Sequence, residues 1–240
     1  MNILAFDSTA KTASVALWRD GVVLAEMFAD TGKTHSEILL PMAENVCDRA
    51  HASLSDIDYY AVTAGPGSFT GVRIGVATVK GLAFSEESTQ NCVGVSTLEA
   101  IAFGLLPLEG IFVPVMDARR HEVYNAVFRS WGGNLTRICP DRAISLAALG
   151  EELIANYPNE NIYLAGDGYA VAYEALSPLP LSLRETPPLL RPQRASAVAM
   201  CAASAIARGE VTTADRLAPT YLRLPQAERD RLAKEKENQK

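Results

Sequence analysis

Two stretches, LAFDSTAKTASVAL (Leu4–Leu17) and PVMDARRHEVYNAV (Pro114–Val127), carry one plan in the two halves of the chain. Each is an apolar run that ends on an aspartate, followed by a short polar turn and a second run suited to a strand. RDG (Arg19–Gly21) then marks a hairpin into VVLAEMF, and SWGG (Ser130–Gly133) marks one into NLTRIC. A strand–aspartate–strand–hairpin unit that occurs twice predicts two similar α/β lobes. Asp7 and Asp117 should then occupy equivalent places. The boundary falls near LLPLEG, giving lobes over residues 1–108 and 109–225 and a charged, flexible tail over 226–240.

Helices fill the intervals. THSEILLPMAENVCDRA (Thr34–Ala50) has a Thr34-x-x-Glu37 capping box and apolar residues at helical spacing, with Pro41 expected to kink it or cost a hydrogen bond. DYYAVTA (Asp58–Ala64) reads as a buried strand, Phe69–Phe84 as a helix and CVGV (Cys92–Val95) as a strand. Ser96-x-x-Glu99 opens a helix through about Leu105. The second half predicts HEVYNAVF as a strand, helices near Leu146–Asn156, Tyr169–Leu176 and Arg194–Arg208, and a strand at NIYLAG.

Composition excludes several classes. At 240 residues with 48% apolar content, the chain can bury a full core, and no apolar run reaches membrane-spanning length. The start, MNILAFDST, lacks a basic region, so it reads as a first strand and not as a leader. Four scattered cysteines without CxxC spacing suit reduced thiols in a cytoplasmic protein. A net charge of −6 leaves too little basic surface to hold nucleic acid unaided.

The loop AGPGSFTG (Ala64–Gly71) is the most tempting catalytic motif. A Walker loop fails, because Gly67 and Gly71 lie four apart and no lysine follows. A dinucleotide fingerprint fails too, because Thr70 stands where the third glycine belongs, and Glu86 and Glu87 lie in a polar loop. Gly65-Pro66-Gly67 therefore reads as a tight strand-to-helix turn. Within the helix, Gly71, Gly75 and Thr78 make a small face, which implies close approach by the protein's own sheet or by a partner helix. Asp7 and Asp117 are candidate ligands for a metal–phosphate unit, although DSTAKT and DARRHE are unlike phosphate cradles. No HxxxH or HExxH places a metal among His35, His51 and His121, and no GxSxG supports a serine hydrolase.

ILAFDSTAKTASVAL, THSEILLPM, AGPGSFTGVRIGVATVKGLAF, GVSTLEAIA, PVMDARRHEVYNAVF and PTYLR together resemble the TsaB (YeaZ) family of bacterial tRNA threonylcarbamoyladenosine biosynthesis proteins. The resemblance covers the chain apart from its tail. It implies a two-lobed actin-like fold, ribonuclease H-like in each lobe and shared with sugar kinases and heat-shock chaperones. It further implies a non-catalytic subunit that binds and activates the paralogue TsaD, which modifies the adenosine next to the anticodon of tRNAs reading codons that begin with A. Where TsaD carries its HxxxH metal motif, this chain has Thr97 and Ile101. The contact with TsaD would use the first two helices, through Ile38, Leu39, Met42 and Val46 on one and Gly71, Val72, Gly75, Thr78 and Val79 on the other. The ATPase TsaE would join the pair, and tRNA would be held only by the complex. A homodimer without TsaD and an ATP or ADP at the TsaD junction stay open. The alternative is an actin-like ATPase or kinase that uses Asp7 and Asp117.

Overall fold

The alternation in the first copy folds as antiparallel strands. β1 (Asn2–Asp7) pairs with β2 (Ala13–Arg19), Leu4 opposite Leu17 and Phe6 opposite Val15. RDG closes the next hairpin with φ of 46° at Asp20 and 93° at Gly21, a two-residue turn whose twist matches that of the strands. β3 (Val22–Ala29) then returns along β2. The computed structural model describes residues 1–84, 92–106 and 108–223, so the tail expected over 226–240 and the acids Glu86 and Glu87 lie outside the described residues.

After α1 (His35–Arg49), β4 (Tyr59–Gly65) joins β1 in parallel, and after α2 (Phe69–Phe84), β5 (Cys92–Ser96) joins β4. The order β3-β2-β1-β4-β5 places β1 at the centre. α3 (Thr97–Gly104) leads into the second copy. There β6 (Gly110–Asp117) is central, flanked by the antiparallel run of β7 (Glu122–Asn125) and β8 (Phe128–Trp131) and by parallel β11 (Ile162–Ala165). β9 (Asn134–Arg137) and β10 (Arg142–Ser145) take the place of β3, and β12 (Leu183–Arg184) that of β5. α4 (Leu146–Asn156) and α5 (Tyr169–Leu176) correspond to α1 and α2.

HEVYNAVF is not one strand. The chain breaks at Ala126–Val127, so β7 pairs with β10 and β8 with β9. The Val127 amide, which leaves the ladder there, donates to Cys139 Sγ at 3.2 Å. The Thr34 box also differs from expectation. Thr34 is the N-cap, but its side chain makes no cap bond, and the Glu37 amide uses the Thr34 carbonyl at 3.1 Å. At α3 the Ser96 hydroxyl does cap Glu99, whose carboxylate turns instead to Arg137 at 2.7 Å.

The sheets are buried on both faces, which is why their central strands read as continuous apolar runs. α1 and α2 cover one face of the first sheet against Leu4, Phe6, Val15 and Leu17. Its other face is covered by α6 (Ala195–Ala207), which follows the second sheet in the chain yet packs on Ile3, Ala5, Ala61 and Val93. Conversely α3, which follows the first sheet, supplies Leu98, Ile101 and Leu105 against Phe112, Met116 and Phe128 of the second. α4 and α5 cover the remaining face. Among the described residues, no helix is long and apolar enough to cross a membrane.

Gly71 and Gly75 do mark close approach, and the neighbour is the chain itself. A Cβ at Gly71 would run into the Ser8 carbonyl oxygen, and one at Gly75 would lie 2.5 Å from Ser8 Oγ. Gly81, on the same helix, faces open space. Gly71→Ala is therefore expected to lower unfolding stability by about 1–3 kcal/mol, while Gly81→Ala should raise it by about 1 kcal/mol. Urea titrations of the two variants check both signs.

Candidate functional site

Where the lobes face one another they leave a cleft of about 690 Å³, walled by Lys11, Ser68, Phe69, Asp117, Arg119 and Tyr221 among others. The duplication places Asp7 and Asp117 at equivalent strand ends, yet their surroundings differ. Asp7 is 1% exposed and does not reach the cleft wall. Thr63 Oγ1 donates to its Oδ2 at 2.7 Å, and the Thr9 amide donates to its Oδ1 at 3.2 Å. Burial pushes the Asp7 carboxyl above the usual carboxylate range, while the bonds from Thr63 and Thr9 pull it back. Asp117 lines the cleft and accepts the Arg119 amide at 2.7 Å. Its own amide donates at 3.1 Å to Asp167, a third acid that the sequence reading missed.

Asp167 had a legible signal. AGDG (Ala165–Gly168) follows β11 as AGPG (Ala64–Gly67) follows β4, with φ of 107° at Gly166 and 118° at Gly65. Crowding by protein strips water from the Asp167 carboxyl and pushes its pKa up to about 6, with the negative charges of Asp117 and Asp7 adding to the rise.

The AGPG turn is no phosphate cradle. The Gly65–Pro66 bond is cis, and a Cβ at Gly65 would lie 2.5 Å from the Thr220 carbonyl oxygen. Two of its amides are turned inward, Ser68 N–H to the Thr9 carbonyl at 2.7 Å and Gly71 N–H to Ser68 Oγ at 3.3 Å. A metal–nucleotide unit also needs carboxylate oxygens free to meet a hydrated cation. Asp7 offers none, since both of its oxygens accept from Thr9 or Thr63, whereas Asp117 and Asp167 line the cleft and each accepts one backbone amide through Oδ1. At the cleft the ATPase alternative would rest on Asp117 and Asp167, since Asp7 is closed off from it. The Arg119 turn is itself costly, since Arg119, Arg120 and His121 have φ of 65°, 55° and 59°, a left-handed run unfavourable for side chains with a Cβ.

The expected interface residues divide by burial. Leu39, Met42 and Val46 of α1 and Gly71, Val72, Gly75 and Val79 of α2 all point into the first lobe. The sheet already covers them, so they are not an open docking face of the single chain. Ile38 and Thr78 are half-buried. The outward stripe of α1 consists of Glu37, Leu40, Pro41, Glu44 and Asp48, and that of α2 of Thr70, Arg73, Ala77, Gly81 and Phe84. Leu40 is 52% and Phe84 63% exposed, and a groove of about 520 Å³ runs past Leu40 and Leu82. Helical periodicity found the two helices, and seven of the nine residues expected at the contact are buried against their own lobe.

Two lobes with this strand order, facing across a cleft, define an actin-like α/β protein. A family model described as TsaD, tRNA N6-adenosine threonylcarbamoyltransferase, matches residues 25–230. TsaB of Bacillus subtilis strain 168 is 39% identical over 150 residues, 61% of this chain and 63% of that protein. TsaB of Escherichia coli K12 is 41% identical over 131 residues, 54% of this chain and 55% of that one. These alignments thus span under two thirds of either relative. TsaB of Haemophilus influenzae is 31% identical over 182 residues, 71% of this chain and 73% of that protein. A solved structure of YeaZ from Pseudomonas aeruginosa superposes with a TM-score of 0.77 at 28% identity, covering 92% of this chain and 99% of that one. The chain belongs to the TsaB (YeaZ) family.

The Asp167 pKa makes a pH prediction. A carboxyl whose folded pKa lies above its unfolded value keeps its proton longer when folded. Its contribution to stability is thus most favourable in acid and declines as pH rises from the ordinary aspartate range through about 6. Asp117→Asn removes a neighbouring charge and keeps the backbone amide bond, so it should lower the Asp167 pKa. Carboxyl carbon shifts followed by NMR from pH 3 to pH 8 (about the range set by the two values) read this directly; an unmoved titration would refute the placement.

Proposed function

We propose that this chain is a non-catalytic subunit that binds a TsaD-type threonylcarbamoyltransferase and supports formation of threonylcarbamoyladenosine next to the tRNA anticodon. The observation that carries this reading is the outward face of α1 and α2, where Leu40, Ala77 and Phe84 lie open, Leu40 beside an apolar groove, while the inner sides of both helices are committed to the lobe. Helices fastened behind, with apolar residues set among charges in front, can bury a second pair of helices without rearrangement.

Four further points support it. The curated relatives carry the name of tRNA threonylcarbamoyladenosine biosynthesis protein TsaB. At the positions that resemblance equates with the TsaD metal motif stand Thr97 and Ile101, both packed in the core. Asp7 is held wholly in internal bonds, and Asp117 and Asp167 each accept a backbone amide of their own lobe. The net charge of −6 suits a subunit that leaves the tRNA to its partners. TsaE would join the pair, in the cytoplasm, and the same apolar face would allow a homodimer where TsaD is absent. A peptidase reading, suggested by a P. aeruginosa structure described as similar to peptidase YEAZ, finds no support at Ser68, whose hydroxyl accepts the Gly71 amide.

Leu40→Asp and Ala77→Asp are expected to abolish co-elution with TsaD and tRNA modification in the reconstituted reaction. Both sites are exposed, so unfolding stability should stay within about 0.5 kcal/mol of the parent. Met42→Asp, by contrast, should unfold the lobe, because it buries a charge. If either surface variant still co-elutes with TsaD, the docking face lies elsewhere.

A further inference from the structure

After α6 the chain runs back along the first lobe. Thr212 and Cys92 exchange backbone hydrogen bonds of 2.8 Å, Ala214 and Leu217 enter the core beneath α2, and Lys80 Nζ donates to the carbonyls of Asp215 and Leu217 at 3.2 and 3.1 Å. The Thr220 amide then bonds the Ala64 carbonyl at 2.7 Å. The Tyr221 ring lies 5.2 Å from that of Phe69, tilted by 32°, and its hydroxyl accepts from Arg73 Nε at 2.7 Å. The Arg73 guanidinium in turn lies 3.8 Å from the centre of the Phe69 ring. To this point the segment is welded to one lobe. Two residues later it crosses the cleft: Arg223 makes paired hydrogen bonds of 2.6 and 2.7 Å to Glu122, on β7 of the other lobe.

The two ends of this strap are fastened very differently. Behind Tyr221 lie apolar burial, aromatic contact and backbone bonds. Ahead of it, the contact with the second lobe is a charge pair with side chains 18% and 34% exposed, the guanidinium lying 6.0 Å from the centre of the Tyr124 ring. Bidentate geometry makes such a pair specific, and partial exposure keeps it releasable by competing ions. At the back of the sheets, α3 and α6 join the lobes by core packing, which no small signal will undo.

We propose that the strap over residues 218–223 is an interlobe latch, in which the Arg223–Glu122 pair holds the cleft at its present width and the Tyr221–Arg73 bond ties that width to α2. This inference is independent of the identity of any partner.

Spin labels at Asp48 on α1 and Glu174 on α5, both exposed and on different lobes, report the lobe separation by pulsed electron resonance in the full chain with Cys139→Ser. Arg223→Glu should give a longer mean distance and a broader distribution, and Glu122→Arg alone should do the same. Combining the two restores the pair with its charges exchanged and should restore the narrow parental distribution. Arg223→Gln, which removes charge without adding repulsion, provides the same reading should Arg223→Glu fail to fold. Identical distributions in all variants, or a broadening that the exchanged pair does not reverse, would overturn the latch.

Discussion

Neither sheet can close its own back. β1 and β6 each sit at the centre of a twisted sheet with apolar side chains on both faces, and each lobe folds only two helices, α1 with α2 or α4 with α5, onto one of them. The other faces are covered by exchange, α3 going to the second sheet and α6 returning to the first. α3 and α6 also pack on each other, so one helix pair lies between two sheets and excludes water from both. The composition of α6 follows from this place. Ala195, Ala199, Ala202 and Ala205 are buried, and short side chains let a helix lie close to a sheet and to a neighbouring helix together. A leucine at such a position would force the layers apart.

From that weld the rest takes its position. The lobes meet at a fixed back and leave a cleft in front, whose floor and walls are turns that must be small or strained to fit. Ser8 lies against Gly71, Thr9 against Gly67, and the Asp117–Asp167 bond ties the two turns of the second lobe. Thr9 and Thr63 hold Asp7 in the first lobe, and in the second the Asp117 amide meets Asp167 and the Arg119 amide meets Asp117. The same chemistry that makes a good ligand cradle has been turned inward, and the outward face of α1 and α2 is what the lobe leaves free.

Much of this was legible in the sequence, for identifiable reasons. The strand–aspartate duplication could be read because period-two alternation and two-residue turns are local signals, and RDG and the Gly132–Gly133 turn behave as their residues require. α4, α5 and α6 fall within a residue or so of expectation because each has a clear apolar repeat. β10 and β12 were missed because runs of four and two residues carry no period of their own. The split of HEVYNAVF depends on two separate partner strands, which no local pattern encodes. The burial of most residues expected at the contact was not legible for a related reason. Both sides of α1 carry apolar residues, and which side meets the sheet is decided by β1 and β2, not by the helix. Asp167 was overlooked because the search followed the aspartates that open each repeat and not the echo of AGPG in AGDG.

The return of α6 also constrains the order of events at the ribosome. The first sheet is complete in sequence once β5 has been made, but its back waits for residues 195–207 and its edge for Thr212. Until nearly the whole chain has emerged, Ile3, Ala5, Ala61 and Val93 have no helix to cover them. The lobe synthesised first is therefore finished last, and a nascent or truncated chain presents a bare apolar sheet face that chaperones and proteases can read.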